Sequence, residues 1–556
     1  MKIAVEGCAH GELDKIYETI ELLEKKNNIK IDMLLICGDF QSVRNPADLE
    51  CMAVPPKYRT MNSFYKYYSG EKVAPVLTIF IGGNHEASNY LSELPYGGWV
   101  CPNIFYMGYA NVINVAGVRI AGLSGIYKAR DYLRGHFESP PYNESSKKSI
   151  YHVRNLDVFR LKQLQNPVDI CLSHDWPTGV YNYGNKEELL RWKPFFREEM
   201  KTNKLGSQPA EELLRKLKPS YWFSAHLHCK FSAIVPHDDQ LRPETKFLAL
   251  DKCLPRRSFL QVVDIESKSD TVQIEYDAEW LSILRSTDHL LSVSNKASYM
   301  PGQGSEERWD FRPTDEEIQY VRKLFNNDFT VPENFSVTAP TYIPEHQCSS
   351  DFVLKTYNNP QTEIFCKNLS ITDPLSIVLN KSRDSFSISD FCATDTDMSY
   401  QSTNPEEISM DEEEEDDIPS EVSKADMDIE PSDDFIIDKV GSRPDSPNSD
   451  DFVIDKTRSQ FEILETDDFF IDKVGSLNND VSSDFIRNST SSQNLCSTPI
   501  SKTEYHSKPV EIIAFPEIRE ENICIDNNVG DEEPTPSLKK FKRRNYDLYK
   551  SEDNIM

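Results

Sequence analysis

Short apolar runs punctuate the first part of the chain at Ile3–Val5, Met33–Cys37, Val76–Ile81, Val118–Leu123, Val168–Leu172 and Tyr221–Ser224. Each is short and mostly β-branched or aromatic, which favours buried strands over helices. Amphipathic stretches lie between them. Leu13–Lys25, for example, sets Ile16, Ile20, Leu22 and Leu23 at roughly helical spacing. Strands alternating with helices predict an α/β fold, an α/β/α sandwich. After residue 260 the pattern weakens. Phe259–Ile265 and Thr271–Tyr276 read as a hairpin and Glu279–Leu291 as a helix. Another helix is expected over Thr314–Asn326, opened by a Thr-x-x-Glu capping box at Thr314 and Glu317.

Beyond about residue 381, Ser, Asp, Glu, Asn and Pro take over, and the acidic run Asp411–Asp417 reads as disorder. Within that tail, Asp433–Ser442 (DDFIIDKVGS) recurs as Asp450–Lys456 and as Asp467–Ser476, with Phe435, Phe452 and Phe469 spaced by 17 residues. So short a period builds no solenoid core. It reads either as an array of acidic-aromatic docking motifs for protein partners or as duplication in unconstrained sequence. Near the end, Lys539–Arg544 (KKFKRR) places five basic residues in six positions. Such a cluster fits a nuclear-import signal or a phosphate patch, and the nucleus is the expected location.

Charge follows the same division. The chain has 556 residues and a formal net charge of −30. Residues 1–300 carry 37 basic and 36 acidic side chains, so the negative charge belongs to the tail and does not exclude a phosphate-rich substrate of the body. No run of about 18 apolar residues predicts a membrane span, and Met1–Cys8 lacks the features of a signal peptide. The 12 Cys are scattered without a framework, which suits reduced thiols.

Candidate chemistry sits directly after the apolar runs. Gly7-Cys8-Ala9-His10, Gly38-Asp39-Phe40, Gly83-Asn84-His85-Glu86, Ser173-His174-Asp175 and Ala225-His226-Leu227-His228 each follow one. In open α/β sheets ligands bind beyond the carboxyl ends of strands, so five strand ends deliver Cys, His, Asp and Asn side chains to one rim. Imidazole suits Zn, Fe or Mn, and a carboxylate can bridge two ions. The set is enough for two metals sharing Asp39, which together clamp a phosphate for in-line attack by water. His136, His237, His289, His346 and His506 read as ordinary histidines.

The order GxH, GD, GNHE, H and HxH resembles the calcineurin-like metallophosphoesterase superfamily and, within it, the lariat debranching enzyme family. The narrower resemblance rests on Met1–Gly11 (MKIAVEGCAHG), Cys37–Asn45 (CGDFQSVRN), Cys51–Arg59 (CMAVPPKYR), Tyr67–Ala74 (YYSGEKVA), Phe80–Ser88 (FIGGNHEAS), Leu94–Trp99 (LPYGGW), Ser149–Asn155 (SIYHVRN) and Ser173–Pro177 (SHDWP). It continues more weakly through Asn334–Thr338 (NFSVT) and Asn359–Phe365 (NPQTEIF) and leaves out the repeat tail. It implies a metallophosphoesterase catalytic domain over 1–260, a smaller C-terminal domain over 261–380, and a disordered acidic tail over 381–556. The implied activity is hydrolysis of the 2′,5′-phosphodiester at the branch point of excised intron lariats, which allows intron turnover.

The resemblance further implies Cys8, His10, Asp39 and His228 as ligands of one divalent ion, and Asp39, Asn84, His174 and His226 as ligands of the other. His85 matches the family's histidine beside the scissile phosphate. Most of the superfamily has Asp where this chain has Cys8. A thiolate is softer than a carboxylate, so the first position is expected to favour Zn2+ or Fe2+ over Mg2+, and the ions expected across the two positions are Fe2+, Zn2+ or Mn2+.

Residues 124–154 carry six basic side chains against three acidic, interleaved with aromatics. Cations on phosphates and rings on splayed bases suit single-stranded RNA. Pro140-Pro141 breaks any helix there, so the stretch is expected to be a long ordered loop. The resemblance makes it the lariat-recognition loop, with Tyr127, Lys128, Arg130, Tyr132, Arg134, Tyr142, Lys147, Lys148, Tyr151 and Arg154 as candidate substrate contacts. Branched intron RNA is therefore the expected partner, met by a monomer away from any membrane.

Overall fold

The structure is a computed structural model that describes residues 1–344 and 352–385, with side chains to residue 380. The acidic run, the repeats, the basic cluster, His346 and His506 lie outside the described residues. Thirteen strands are present among the described residues. They are β1 (Lys2–Glu6), β2 (Met33–Ile36), β3 (Leu77–Phe80), β4 (Gly98–Cys101), β5 (Ile104–Tyr106), β6 (Ala110–Val115) and β7 (Val118–Leu123), then β8 (Ile170–Ser173), β9 (Tyr221–Ser224), β10 (Phe231–Pro236), β11 (Glu244–Ala249), β12 (Leu260–Asp264) and β13 (Ile274–Tyr276).

These strands form two sheets, in the orders β12-β1-β2-β3-β5-β4 and β10-β11-β9-β8-β7-β6-β13. Strand alternation assigns each face. Ile3, Val5, Leu35 and Ile79 of the first sheet meet Ile120, Leu172 and Phe223 of the second in a dry inter-sheet core. The opposite face of the first sheet, with Ala4, Leu34, Ile36 and Phe80, is covered by Leu13, Ile16 and Ile20 of helix Leu13–Asn27. That helix stops where Asn28 turns left-handed and donates its N–H back to Glu24. On the second sheet's outer face Cys171 and Trp222 pack with Leu161, Leu213, Leu217 and Trp280. The expected α/β sandwich is present, with its strand layer split into two sheets between helices.

All six predicted strands form, and so do the helix at 13 and the capped helix Asp315–Leu324, where both halves of the Thr314–Glu317 box are made. The expected hairpin is corrected. β12 pairs antiparallel with β1 and β13 with β6, so the two segments close edges of different sheets. The two strands are not hydrogen-bonded to one another, because each edge offers a longer apolar partner.

The region after residue 330 is tied to the body through buried Arg44. Its guanidinium lies over the Tyr90 ring at 4.0 Å, donates to both oxygens of Asp48, and reaches Glu93 Oε1 at 2.9 Å and Thr338 Oγ1 at 3.1 Å. Glu93 in turn accepts from Thr338 Oγ1 and from the Tyr357 backbone N–H. Losing one partner of a buried ion pair leaves the other charge uncompensated, at about 3–5 kcal/mol. Arg44→Met is therefore expected to destabilise the fold by about that much. Chemical denaturation checks this, and an unchanged midpoint would contradict it.

Candidate metal centre

Three of the ligand-bearing strands, β1, β2 and β3, run parallel in the first sheet, and β8 and β9 run parallel in the second. Their carboxyl ends open onto the same edge of the inter-sheet core. There Cys8, His10, Asp39 and His228 converge, each offering one donor atom, and these atoms lie within 4.8 Å of one another. His10 Nε2 stands 3.3 Å from His228 Nε2 and 3.8 Å from Asp39 Oδ2. Around the other carboxylate oxygen, His174 Nε2 lies 3.3 Å from Asp39 Oδ1 and 3.1 Å from Asn84 Oδ1. The His226 ring is 5.0 Å from that of His174. His85 sits between the two groups, its Nδ1 3.8 Å from Asp39 Oδ2 and its ring 5.3 Å from His10.

The supporting contacts orient these donors. His174 Nδ1 donates to the Cys37 carbonyl at 2.8 Å, which fixes the ring and aims Nε2 at Asp39 and Asn84. Asp39 Oδ1 accepts the backbone N–H of His85 at 2.8 Å. Gly38, at φ +117°, is the strand-end turn that permits this closeness, because a Cβ there would lie 2.2 Å from His174 Nδ1. His10, Asp39, His226 and His228 all hold left-handed backbone. Such clustering of sparsely populated conformations is typical of functional sites.

Electrostatics favours a cation. Asp39 is buried, and its Oδ2 has no hydrogen-bond partner. Burial alone would raise its pKa, but the imidazoles of His174, His85 and His10 hold it well below the usual carboxylate range. Burial pushes His10 down to about 4, and burial with His174 pushes His226 down to about 3, so both rings present lone pairs. Burial and Asp39 push the Cys8 thiol up. An ion at the first position therefore displaces a proton from Cys8, and its binding tightens as pH rises. Donor types, the orphaned carboxylate oxygen and the neutral rings all fit a divalent transition ion.

Cys8→Ser is expected to cut affinity at the first position by about tenfold to a hundredfold and to leave the fold intact. Metal analysis after dialysis and a thermal melt check this. Unchanged metal content and rate would contradict it.

Two contributors lie outside the predicted set. Glu86 accepts the backbone N–H groups of Phe40, Gln41 and Gly83 at 2.8–2.9 Å, locking the Asp39 loop to the Asn84 loop. Burial and Asp39 raise its carboxyl to about 8. The Gln41 amide stands 3.2 Å from His10 Nδ1. Glu86 was visible in the GNHE run, whereas Gln41 has no distinguishing signal. His136 and His237 take ordinary partners, Asp157 at 2.9 Å and Thr245 at 2.6 Å.

Residues 124–154 follow β7 and are ordered, but they are not a plain loop. Helices Ala129–Tyr132 and Glu144–Ser149 lie within them. Arg154 is corrected. Its side chain is 1% exposed and pairs with Glu138 at 2.7 Å while donating to the carbonyls of Asp131 and Ser149. It holds the segment together and offers no surface to RNA. Arg134 pairs with Asp131 at 2.8 Å and Lys147 with Glu144 at 2.9 Å. The Tyr142 hydroxyl meets that of Thr356. Arg130 is exposed, and Tyr127, Lys128, Tyr132, Lys148 and Tyr151 are half-buried. Tyr127 packs edge-on to Tyr132, and its backbone N–H donates to Asp175 beside His174.

Two family models match the chain. The calcineurin-like phosphoesterase model covers residues 1–230, and the lariat debranching enzyme C-terminal domain model covers residues 242–374. The lariat debranching enzyme of Drosophila melanogaster is 57% identical over 68% of this chain and 79% of its own length. That of Homo sapiens is 54% identical over 75% of this chain and 80% of its own length. The chain belongs to the lariat debranching enzyme family. The Arabidopsis thaliana lariat debranching enzyme extends the likeness to plants, at 51% identity over 65% of this chain and 84% of its own length. Lariat debranching enzymes with a calcineurin-like domain are divalent-metal-dependent phosphodiesterases, and the centre described above is the part of this chain fitted to that chemistry. Among the described residues no helix is long and apolar enough to cross a membrane.

Proposed function

We propose that this chain hydrolyses the 2′,5′-phosphodiester at the branch point of excised intron lariats, releasing linear RNA for turnover. The observation that carries the reading is the convergence of Cys8, His10, Asp39 and His228 within 4.8 Å at the strand ends of a lariat debranching enzyme family member. Cys8, His10, Asp39 and His228 hold one ion. Asp39, Asn84, His174 and His226 hold the other. Ions bound there supply Lewis-acid polarisation of a phosphoryl oxygen and a water of lowered pKa.

The chain's own residues do the rest. His174, anchored on the Cys37 carbonyl, keeps its Nε2 directed at the site. Glu86 fixes the spacing of the Asp39 and Asn84 loops. His85, between the two ligand groups, protonates the leaving 2′ oxygen or stabilises charge that develops on it. The softness of Cys8 favours Fe2+ or Zn2+ over Mg2+ at the first position, and Fe2+, Zn2+ or Mn2+ serves across the pair. Lys128, Arg130, Lys148 and the aromatics Tyr127, Tyr132 and Tyr151 hold RNA, with cations on phosphates and rings on bases. The chain works as a monomer. Its Lys539–Arg544 cluster directs it to the nucleus, where the acidic repeats engage protein partners.

The test is a substrate panel. The metal-loaded protein is incubated with branched RNA, matched linear 3′,5′ RNA and an aryl phosphate. Cleavage confined to the branch supports the reading. Turnover of the aryl ester alone indicates a general phosphoesterase, and inertness on all three indicates a binding scaffold.

A further inference from the structure

Four arginines are buried among the described residues, and three of them are matched by carboxylates. Arg44 pairs with Asp48 and Glu93, Arg119 with Asp277 and Glu279, and Arg154 with Glu138. Arg160, on helix Asn155–Lys162, is the exception. It is 4% exposed, and its side chain makes one hydrogen bond, from Nε to Thr287 Oγ1 at 2.9 Å. Among the described residues it has no carboxylate partner, and neither Nη group has an acceptor. A guanidinium keeps its charge in a protein, and buried charges are ordinarily paired.

Arg160 lines a cavity together with Arg154, His136 and Asp157. Two of these neighbours add buried polar atoms without a hydrogen-bond partner, Arg154 Nε and His136 Nδ1. The one carboxylate in the lining, Asp157, is already taken by His136 Nε2 at 2.9 Å. The His136 ring is held flat on that of Tyr109, with centroids 3.7 Å apart. Unmade polar groups of this kind call for a ligand.

The cavity lies where two parts of the chain are stitched together. Gly135 N–H donates to the Ser294 carbonyl at 2.9 Å, and Ser298 N–H donates to the Leu133 carbonyl at 2.7 Å. Asn155 Nδ2 donates to the Ser298 carbonyl at 2.7 Å. Gly135 permits the approach, because a Cβ there would lie 2.0 Å from the Ser292 carbonyl oxygen. Ser292 and Ser298 also line the cavity. Its wall is therefore shared by the segment after β7 and the part matched by the lariat debranching C-terminal model.

We propose that this cavity binds a phosphate-class oxyanion on the Arg160 guanidinium, with Arg154 Nε and His136 Nδ1 as further contacts. A guanidinium offers paired N–H donors that fit two oxygens of one phosphate. Hydrogen phosphate both donates and accepts, so it meets His136 Nδ1 in either tautomer. The anion supplies the negative charge that Arg160 lacks and joins the two parts of the chain. None of the candidate metal ligands lines the cavity, so the site stands whether or not the chain cleaves branches.

The test is calorimetric titration of the full-length metal-loaded chain with inorganic phosphate at constant ionic strength. It is repeated in Asp39→Asn protein, where the metal centre no longer competes for the anion. A site with a dissociation constant of about 1 mM or below is expected to persist in that variant. Arg160→Met should weaken it by about tenfold to a hundredfold, and Arg160→Lys should fall between. Phosphate should raise the melting temperature of the unaltered chain and leave that of Arg160→Met unmoved. Adenosine 5′-monophosphate identifies the source of the anion. Tighter binding than phosphate marks a nucleotide site, and weaker binding marks a site for the free anion. Binding confined to the metal centre, or unchanged in Arg160→Met, overturns the proposal. If Arg160→Met does not fold, arsenate soaked into crystals of the unaltered chain decides by anomalous scattering. A peak at the Arg160 Nη groups, matched by the solution response, supports the site. Ordered water alone, or a peak with no solution response (an adventitious ion only), overturns it.

Discussion

Asp39→Asn is expected to empty both metal positions and lower branch hydrolysis by about a thousandfold or more. Asp39 faces both ligand groups, with Oδ1 3.3 Å from His174 Nε2 and Oδ2 3.8 Å from His10 Nε2. Asparagine keeps the shape and the contact from the His85 backbone but removes the negative charge, and its amide hydrogens face nitrogen lone pairs. Lewis-acid stabilisation by a bound ion is worth several kcal/mol, and about 4 kcal/mol corresponds to about a thousandfold in rate. Metal analysis after gel filtration, paired with single-turnover cleavage, checks the prediction. Retained metal with a rate within about tenfold of the unaltered chain would contradict the assignment of Asp39 as the shared ligand.

His85→Ala should behave differently, with metal content retained and kcat reduced by about a hundredfold to ten-thousandfold, the range for a positioned proton donor. The His85 side chain lies among the ligands, 14% exposed, while its structural contribution to Asp39 comes from its backbone N–H, which alanine preserves. KM should change little. Loss of metal in this variant would make His85 a ligand, and an unchanged kcat would remove it from the chemistry.

The candidate cluster was legible because each of its residues follows a short apolar run and a tight turn, so that a buried strand and the rim residue at its end are read together. Asp39 and His174 are the clearest cases, each falling directly after a β-strand that formed as expected. Pairing between distant strands was not legible. β12 and β13 looked like a hairpin because they are neighbours in sequence, but their partners β1 and β6 lie 150 or more residues away and in different sheets. Composition also misled at Arg154. A basic residue in a basic, aromatic stretch reads as a phosphate contact until Glu138 and two carbonyls are found to hold it within the fold.

The central claim is that the centre cuts a branch and not RNA in general. The most direct measurement follows a synthetic branched RNA and its linear 3′,5′ counterpart by intact mass during incubation with the metal-loaded protein. The account predicts that the branched RNA takes up one water at the branch and separates there, while the linear RNA keeps its full length. Cleavage of both at comparable rates, or of neither while both metal positions are filled, would contradict it.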